Sequence, residues 1–492
     1  MTHTILPLLA RFRGEFSQPS FENFQFLLLA WLMNPGRGWL SNCLKALLHL
    51  PDLAPTNTEG QPKHFSCLYR LFTRARWSKD TVGKILADGL GRWLPDQLTI
   101  IVDDTLFRRT GPMILGAGMH HDPLRTTYGK SGKKQFSFGL SFVMLAVWVP
   151  VPFAHAGGMA VPVLFRLYRS PKTCPEASYR TRPQLAAELL TIARQWWPTR
   201  PLEVTVDSEY VCKGVLQATD DNMVLTGVLK FNYMLYPPKP PAYSGVGRPA
   251  KWGEKMGSIG QLRDDKTIAW DQVEVIMYGQ KVTLLTKLIQ ARWSSSGPDK
   301  VVTILITRDP TGTYDDACFL RTESNASVQS VLTFICLRWS LEVTFRDGKQ
   351  HLHIEDIENG YVHREEPSAT HRKTRPGPQA PPKKEPVASK RTVPLFMLGF
   401  GFVVLWYLEY GRPTLDLKWA KLMAPWWTHK TTISFGDMLQ AFRRQMEYED
   451  LWTNPPQQGF DEKYLRKLPF DWPGLKIFDE DHASISPRMA KL

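Results

Sequence analysis

Two acidic segments follow short apolar stretches that have the composition of buried β-strands. Asp103-Asp104 come directly after Leu98–Val102, and Asp207 comes directly after Leu202–Val206. Continuous runs of apolar, β-branched residues predict strands that are covered on both faces. An acid at the carboxyl end of such a strand faces the crevice where α/β sheets bind ligands. Turn-forming aspartates also end many strands, but two such ends in one sheet favour a functional site.

A third acid lies in a segment whose polar residues have helical spacing. Arg338, Glu342, Phe345 and Lys349 follow one another at intervals of four, three and four residues. On an α-helix, residues three and four apart are neighbours, so these side chains are expected to share one face. The alternative is an ordinary surface helix with ion pairs between residues four apart.

The elements around these acids predict a mixed α/β sheet. Five strands and one long helix are expected, at Leu98–Val102, Gln135–Val149, Met159–Tyr168, Gln184–Trp197 (the helix), Leu202–Val206 and Asn222–Phe231. First strands joined by short connections, followed by strands that alternate with helices, indicate a mixed sheet. This order resembles that of the ribonuclease-H-like fold.

A mostly β insertion is expected to interrupt this fold before its last helix. Strand-like runs occur at Asp271–Met277, Lys281–Lys287 and Val301–Thr307, after a proline-rich break at 237–241. The last helix is expected to begin at Val328 and to end near Leu352.

The sequence therefore predicts six regions. They are a helical N-terminal DNA-binding region (1–95), the first part of a catalytic core (96–231), a β-rich insertion (232–325), the last core helix (326–360), a basic proline-rich linker (361–392) and a helical C-terminal region (393–492). A helical cap with a solvated basic face is the alternative interpretation of 1–95.

Composition narrows the class of protein. Lys and Arg (61) exceed Asp and Glu (47), which gives a formal net charge of +14 and favours contact with a polyanion. The six cysteines are scattered without a CxxC pair, which argues against a zinc site or a disulfide scaffold and for a reducing cytoplasm.

The apolar windows Leu140–Val149 and Leu395–Leu408 are shorter than the roughly 20 residues that span a bilayer, so we interpret both as buried core. His120-His121-Asp122 has no partner cluster that would indicate a transition-metal site.

The three acidic segments resemble those of the DDE transposases of bacterial insertion sequences. The resemblance is to the cut-and-paste group that has a β insertion before its last catalytic helix. That group carries a Tyr-x2-Arg-x3-Glu-x6-Lys signature, and Arg338, Glu342 and Lys349 match its last three positions. Ile335 stands at the tyrosine position, where the family residue helps to hold DNA near the transposon end.

The first two acids match the family in the same way. Asp103-Asp104-Thr105 resembles its first-acid segment and Val206–Tyr210 its second, with Asp103 and Asp207 at the ligand positions. Neighbouring strand residues point to opposite faces, so only one of Asp103 and Asp104 is expected in the site, and the resemblance favours Asp103.

The resemblance implies a metal-dependent DNA transposase. Asp103, Asp207 and Glu342 would hold two Mg²⁺ ions, with Mn²⁺ able to substitute, because hard cations prefer oxygen ligands. Two such ions assist an in-line displacement at phosphorus, first by water and then by the freed 3′-hydroxyl on target DNA. Arg338 and Lys349 would contact the phosphates beside the scissile bond.

Further DNA contacts are expected from two basic loops. They would come from Lys130, Lys133, Lys134, Arg248, Lys251 and Trp252. Trp252, Trp270 and Trp293 are candidates for stacking on a base, although a tryptophan in the core is the alternative for each.

The expected partners are double-stranded DNA, as terminal repeats and target, and a second copy of the chain on paired ends. The resemblance also implies a bacterial, cytoplasmic and nucleoid-associated protein without a membrane partner. Two alternatives remain open, namely a ribonuclease-H-like nuclease without strand transfer and a DNA-binding relative that has lost catalysis.

Overall fold

One large mixed sheet carries the acids of the two strand segments in the computed structural model of the protein. The structure describes residues 4–46, 55–57, 60–61, 63–110, 114–122, 135–240, 251–356 and 385–453. Within these residues the strands are β1 Leu98–Arg108, β2 Gly118–His121, β3 Phe136–Pro150, β4 Gly158–Tyr168, β5 Leu202–Val206, β6 Met223–Val228, β7 Met234–Tyr236, β8 Gly257–Ser258, β9 Asp271–Met277, β10 Gln280–Trp293, β11 Val301–Arg308 and β12 Ala317–Arg321.

The first part of the sheet has the strand order of the ribonuclease-H-like fold. β4, β3 and β1 pair antiparallel, and β5 and β6 continue the sheet parallel to β1. The spatial order is thus β4-β3-β1-β5-β6, as the succession of elements in the sequence predicts. The α/β fold class is confirmed.

The insertion extends this same sheet and is not a separate β layer. β12 pairs with β6, and β11, β10, β7 and β8 follow in that order. β9 pairs antiparallel with the first half of β10. The predicted strand at 281–287 is in fact the first half of a strand that reaches Trp293. The short strands β7, β8 and β12 were not expected from the sequence.

The prediction that β1 ends at Val102 is wrong. β1 continues to Arg108, so Asp103 and Asp104 lie inside the strand. The reason is pairing with β3, which continues from Ile100 as far as Arg108, whereas pairing with β5 stops at Val102. The acids therefore begin where β1 loses its parallel neighbour.

Twelve helices are seen in the described part of the chain. They are α1 Leu6–Ala10, α2 Gln18–Met33, α3 Leu40–Ala46, α4 Ser66–Thr73, α5 Lys79–Leu90, α6 Arg182–Trp196, α7 Lys213–Leu216, α8 Ile259–Asp264, α9 Val328–His351, α10 Ser389–Tyr410, α11 Pro413–Met423 and α12 Phe435–Thr453. Residues 47–54 of the N-terminal region lie outside the described residues. So do 357–384, which contain most of the expected linker.

Helix α9 is the predicted last core helix, and its bounds agree with the sequence. The Ser327 hydroxyl caps its first turn by accepting a hydrogen bond from the Ser330 N–H. The helix lies across β1, β4, β5 and β6, and the Thr344 hydroxyl donates to the Ala160 carbonyl at 2.7 Å. Gly348 is explained by close packing, because an added Cβ would come within 3.1 Å of the Met397 sulfur on α10.

Helix α10 packs against helices of the N-terminal region and against the core sheet. It begins at Ser389, before the expected start of the C-terminal region, and packs against α2, α5 and β4. Among the described helices it alone is long and apolar enough to cross a membrane, and 94% of its most apolar window is buried within the protein. The expectation that Leu395–Leu408 is a core element agrees with this burial.

Contacts divide the chain into two units. One is Thr4–Arg443, to which all the strands belong. The other comprises Met1–His3 and Arg444–Leu492, of which the structure describes only Arg444–Thr453, the C-terminal part of α12.

A buried ion pair spans the junction between the core strands and the insertion. Arg321 on β12 donates from two nitrogens to the two carboxylate oxygens of Glu203 on β5, at 2.8 and 2.9 Å. Both side chains are almost fully buried, and Arg321 also donates to the Thr226 hydroxyl on β6. β12 pairs with β6 through only three residues, so this ion pair fixes the register where the insertion joins the sheet.

We expect Arg321→Met to lower the free energy of unfolding by about 3–5 kcal/mol, because the substitution leaves the Glu203 carboxylate buried without its cation. The measurement is urea unfolding followed by tryptophan fluorescence and circular dichroism. Arg308→Met is the matched control, since Arg308 lies on the adjacent strand β11 and pairs with Asp316 at the surface. The control should cost less than about 1 kcal/mol. Equal losses in the two variants would contradict the role of the buried pair, and Glu203→Gln combined with Arg321→Met should recover much of the loss.

Candidate active site

The alternation of β1 directs its two neighbouring acids to opposite faces of the sheet. Asp103 accepts a hydrogen bond from Arg338 on α9, whereas Asp104 accepts one from the Tyr210 hydroxyl at 2.7 Å and pairs with Arg182 at the start of α6. Only Asp103 therefore shares a face with the predicted third acid. Asp104 is committed to contacts that hold the turn after β5 and the first turn of α6.

Asp103 is a buried carboxylate with one cationic partner. Its residue is 8% exposed, and burial raises the pKa of its side chain to about 8, against the lowering effect of Arg338 and with a further increase from Asp104 and Asp207. Arg338 Nη1 lies 2.8 Å from one Asp103 oxygen, and the Asp104 N–H donates to the other at 2.8 Å. The site therefore contains a carboxylate that needs a cation in order to remain ionised.

Asp207 follows the strand next to Asp103. Val102 and Val206 are paired in parallel register, so Asp103 and Asp207 are the next residues on neighbouring strands. The charge of Asp207 acts on Asp103 and on Glu342, raising the pKa of both side chains. Close packing beside this strand end requires Gly227, since an added Cβ would meet the Val211 side chain at 2.4 Å.

Glu342 completes the acidic group from α9. One nitrogen of Arg338 contacts Asp103 at 2.8 Å and Glu342 at 3.0 Å, so a single positive charge bridges the two carboxylates. Burial raises the pKa of Glu342, while Arg338 opposes that rise. With the side chains in these positions, no three His, Cys, Asp or Glu residues within the described ranges are grouped closely enough to hold a metal ion.

Lys349 contacts the protein backbone on the same face of α9. Its ammonium group donates to the Leu106 carbonyl at 2.9 Å and to the Thr105 hydroxyl at 3.3 Å, and it lies 3.8 Å from the Glu355 carboxylate. Burial lowers the pKa of this lysine. Lys349 thus ties the end of α9 to the acid-bearing strand β1.

Two apolar residues of α9, Phe345 and Ile335, are buried in the hydrophobic core. Ile335, at the tyrosine position of the resemblance, belongs to a core cluster that joins α9 to insertion strands and includes Val275, Leu305 and Phe319.

The other predicted DNA contacts are placed only in part. Lys130, Lys133, Lys134 and Arg248 lie outside the described residues. Lys251 is exposed, whereas Trp252 is half-buried and packs 5.0 Å from the ring of Tyr236. The carbonyls of both Lys251 and Trp252 accept hydrogen bonds from the buried guanidinium of Arg292.

The two other tryptophans considered for base stacking make contacts within the protein. Trp293 is 2% exposed and packs against Tyr233, and Trp270 lies under the cations of Lys287 and Arg308. His120 is likewise buried, and burial together with Arg182 lowers its pKa to about 4. Its neighbour Asp122 pairs with Arg108 at 2.7 Å.

Tyr278 is a residue at the site that the sequence analysis missed. It lies in the two-residue turn between β9 and β10, where both Tyr278 (φ 51°) and Gly279 (φ 77°) are left-handed. The residue is 53% exposed, and partial burial and the Cys336 thiol raise the pKa of its hydroxyl. Arg338 and Glu342 are close enough for their charges to act on it. A Tyr-Gly pair between two predicted strands is a hairpin signal that could have drawn attention to it.

The site combines two acids that share one guanidinium, Asp103 and Glu342, with a third acid, Asp207, at the end of the neighbouring strand. The position between Asp103 and Glu342 holds a positive charge in the form of the Arg338 guanidinium, so a cation is electrostatically favoured there. Carboxylate oxygens are the type of donor that Mg²⁺ or Mn²⁺ prefers.

Comparison with known proteins bears on these residues. The family described as DDE superfamily endonuclease matches residues 11–291, a range that includes Asp103 and Asp207 and ends before α9. No curated protein matches the sequence. Among solved structures, the chain is similar to a piggyBac transposase in a cryo-EM synaptic complex with hairpin DNA, with a TM-score of 0.36 and 8% identity over 96% of this chain and 82% of that chain. Because the family match covers more than half of its residues, the chain belongs to the DDE superfamily of endonucleases.

Proposed function

We propose that the protein is a DNA transposase of a bacterial insertion sequence, which cuts the ends of its element and joins the freed 3′-hydroxyl to target DNA. The observation that carries the proposal is that one Arg338 nitrogen bridges Asp103 and Glu342, while Asp207 follows the strand paired with β1 in a ribonuclease-H-like sheet. Membership of the DDE endonucleases supports DNA cleavage by these acids. Strand transfer rests on the resemblance of Arg338, Glu342 and Lys349 to the transposase signature.

Asp103, Asp207 and Glu342 are the residues that would hold two Mg²⁺ ions, with Mn²⁺ as a substitute. Bound metal would supply Lewis-acid stabilisation of the charge that develops on the scissile phosphate. The buried Asp103 carboxylate favours any cation that can replace the Arg338 guanidinium beside it. Metal binding between these two acids would then require Arg338 to release Asp103 and Glu342.

The released Arg338 is placed to contact DNA. Its guanidinium can donate two parallel hydrogen bonds to a phosphate, which would position the backbone next to the acids. Lys349 remains bonded to the Leu106 carbonyl and keeps the acid-bearing part of β1 in register with α9. In this proposal Lys349 is a positioning residue, and no side chain acts as a covalent nucleophile.

The other regions are assigned to DNA binding and assembly. The helical region 1–95, the loop residues Lys130, Lys133, Lys134 and Arg248, and the exposed Lys251 and Trp252 loop would extend the contact to the terminal repeat. The excess positive charge of the chain supports such contacts. The region 393–492 would mediate dimerisation, and the proposed location is the bacterial cytoplasm, at the nucleoid and without a membrane partner.

A second candidate function is that of a DNA-binding relative without catalysis. The observation that favours it is Ile335, which stands at the tyrosine position of the signature and is buried in the core. The nuclease without strand transfer is the third outcome that an activity assay separates.

Glu342→Gln and Asp103→Asn are expected to reduce Mg²⁺-dependent nicking of DNA that carries the element's ends by about a hundredfold or more, because metal stabilisation of the transition state is worth several kcal/mol. Asp104→Asn is the matched control. It changes the neighbouring acid in the same way but on the opposite face, and its amide oxygen can still accept from Tyr210. The control should retain nicking.

The measurement is a time course of nicking and strand joining with Mg²⁺, with Mn²⁺ and with EDTA, alongside end binding by fluorescence anisotropy. Nicking without joined product would indicate a nuclease. End binding without nicking in the wild type would indicate the non-catalytic relative. Unchanged nicking in Glu342→Gln would contradict the assigned acids.

Tyr278→Ala is expected to reduce end cleavage about tenfold or more while Tyr278→Trp retains most of it, if an aromatic ring beside Arg338 stacks against DNA. Stacking of one base on an aromatic side chain is worth about 1–3 kcal/mol. The measurement is single-turnover cleavage at saturating protein, which separates positioning from affinity. The exposed Tyr314, on the loop after β11, provides the control Tyr314→Ala. Equal rates for Tyr278→Ala and Tyr314→Ala would contradict a role of Tyr278 at the site.

The C-terminal region is expected to form the dimer contact on paired ends through an apolar surface at the end of α11 and just after it. Four large side chains are exposed there, Leu422 (45%), Met423 (68%), Trp426 (75%) and Trp427 (49%). Exposed apolar groups in one short segment are typical of an interface. Light scattering should give two protein chains on paired-end DNA, and one chain for Met423→Ser with Trp426→Ser. A single chain of wild-type protein on bound, paired ends would contradict this assignment.

A further inference from the structure

A basic cavity lies on the opposite face of the sheet from Asp103 and Glu342. Its volume is about 350 Å³, and it is lined by residues of α5, the end of β4, the segment before α6, α6 itself and the start of α10. Arg166 of β4 stands opposite Val143 of β3, which stands opposite Asp104 of β1. Directly opposed residues point to the same face, so the cavity is on the Asp104 face and does not belong to the candidate active site.

Cations outnumber acids around this cavity. Five basic side chains line it, namely those of Lys79, Arg166, Arg169, Arg180 and Lys390. Two lining carboxylates, Glu188 and Glu385, and Asp80 just behind the wall are the acids that contact these cations. With every one of these three acids ionised, the five cations leave a net charge of +2 around the cavity.

The acids are concentrated on some of the cations. Arg166 takes up two of them, Asp80 at 2.8 Å and Glu188 at 2.7 Å. Glu385 lies between Arg169 and Lys390. Arg180 forms no ion pair with any described residue, and its guanidinium donates only to the backbone carbonyls of Ala177 and Tyr179.

Lys79 experiences the resulting excess of charge. Burial lowers the pKa of its ammonium group, and the nearby cations Arg166 and Lys390 lower it further, while Asp80 at 3.1 Å acts in the opposite direction. A partly buried lysine that faces other cations is electrostatically strained in the absence of an anion. A bound anion would relieve that repulsion.

We propose that this cavity is a phosphate-binding site. The guanidinium group of Arg180, which no carboxylate engages among the described residues, offers planar donors that match phosphate oxygens, and Lys79 and Lys390 add point charges. The excess of two positive charges suits one phosphate dianion or two backbone phosphodiesters. The proposal does not depend on DNA cleavage by the acids on the other face.

Two sources share this chemistry, and they can be distinguished. One is the backbone of bound DNA, which could pass over the face of the sheet that carries both Asp104 and Arg166. The other is a small phosphorylated molecule. The variants must therefore be examined with a small anion and with DNA.

The first measurement is calorimetric titration of the full-length protein with inorganic phosphate. Arg180→Gln combined with Lys390→Gln should weaken binding at least tenfold, whereas Lys84→Gln should leave it unchanged. Lys84 is the matched control because it lies on α5 with Lys79 but pairs with Asp88, away from the cavity. Glu188→Gln should strengthen binding, since it removes an acid that neutralises Arg166. Absence of saturable binding to the wild type, or equal affinity in the double variant, would overturn the proposal.

The second measurement is the salt dependence of binding to a duplex of unrelated sequence, by fluorescence anisotropy. If DNA is the source, the double variant should bind more weakly, and the slope of log affinity against log salt should fall by up to about two. If a small phosphorylated molecule is the source, DNA affinity should stay at the wild-type value while phosphate binding is lost. Either result supports the cavity as a phosphate site and identifies its ligand.

Discussion

The buried Asp103 carboxyl group has a pKa raised to about 8 even with Arg338 beside it, so its ionisation at neutral pH requires further positive charge, and the candidate site is arranged around that requirement. A buried carboxylate is costly unless a charge and hydrogen bonds compensate it. Helix α9 supplies the charge through Arg338, which reaches both Asp103 and Glu342. Two hydrogen bonds to the sheet in turn hold α9 in place. One runs from Thr344 to β4, and the other runs from Lys349 to β1. Under the proposed function, a metal ion takes over the role that Arg338 has in the protein alone.

The two-residue alternation of β1 gives adjacent aspartates different tasks. Asp103 faces α9 and the proposed chemistry, whereas Asp104 holds Tyr210 and Arg182 on the other face. Arg182 also covers the ring of Tyr168 and lies two residues after Arg180 of the basic cavity. One dipeptide thus separates an acidic face from a basic one, and this separation would allow the proposed metal site and the proposed phosphate site to coexist in the same sheet.

The sequence predicted those parts of the fold that depend on local patterns. Apolar β-branched runs identified the core strands, and helical spacing identified α9 almost to the residue. Features that depend on distant partners were missed. β12 is short, and its neighbours in the sequence give no sign that Arg321 is buried, because its partner Glu203 is 118 residues away. For the same reason β1 was predicted to end at Val102, since only the pairing with β3 shows that the strand continues. The roles of Asp103, Asp207 and Glu342 remain predictions that the activity assays test.

The departure at Ile335 has a physical cause that also explains the position of Tyr278. Ile335 packs among Val275 and Leu305 of the insertion, so a tyrosine there would have to bury its hydroxyl group in an apolar cluster. The same insertion strands, because they continue the core sheet, bring the β9–β10 turn to α9 and place Tyr278 beside Cys336. An aromatic hydroxyl therefore comes near Arg338 from a different strand and at a different point in the chain. In the proposed transposase the insertion would then contribute a side chain to the active site, and the rigid join through β12 and Arg321 would position it.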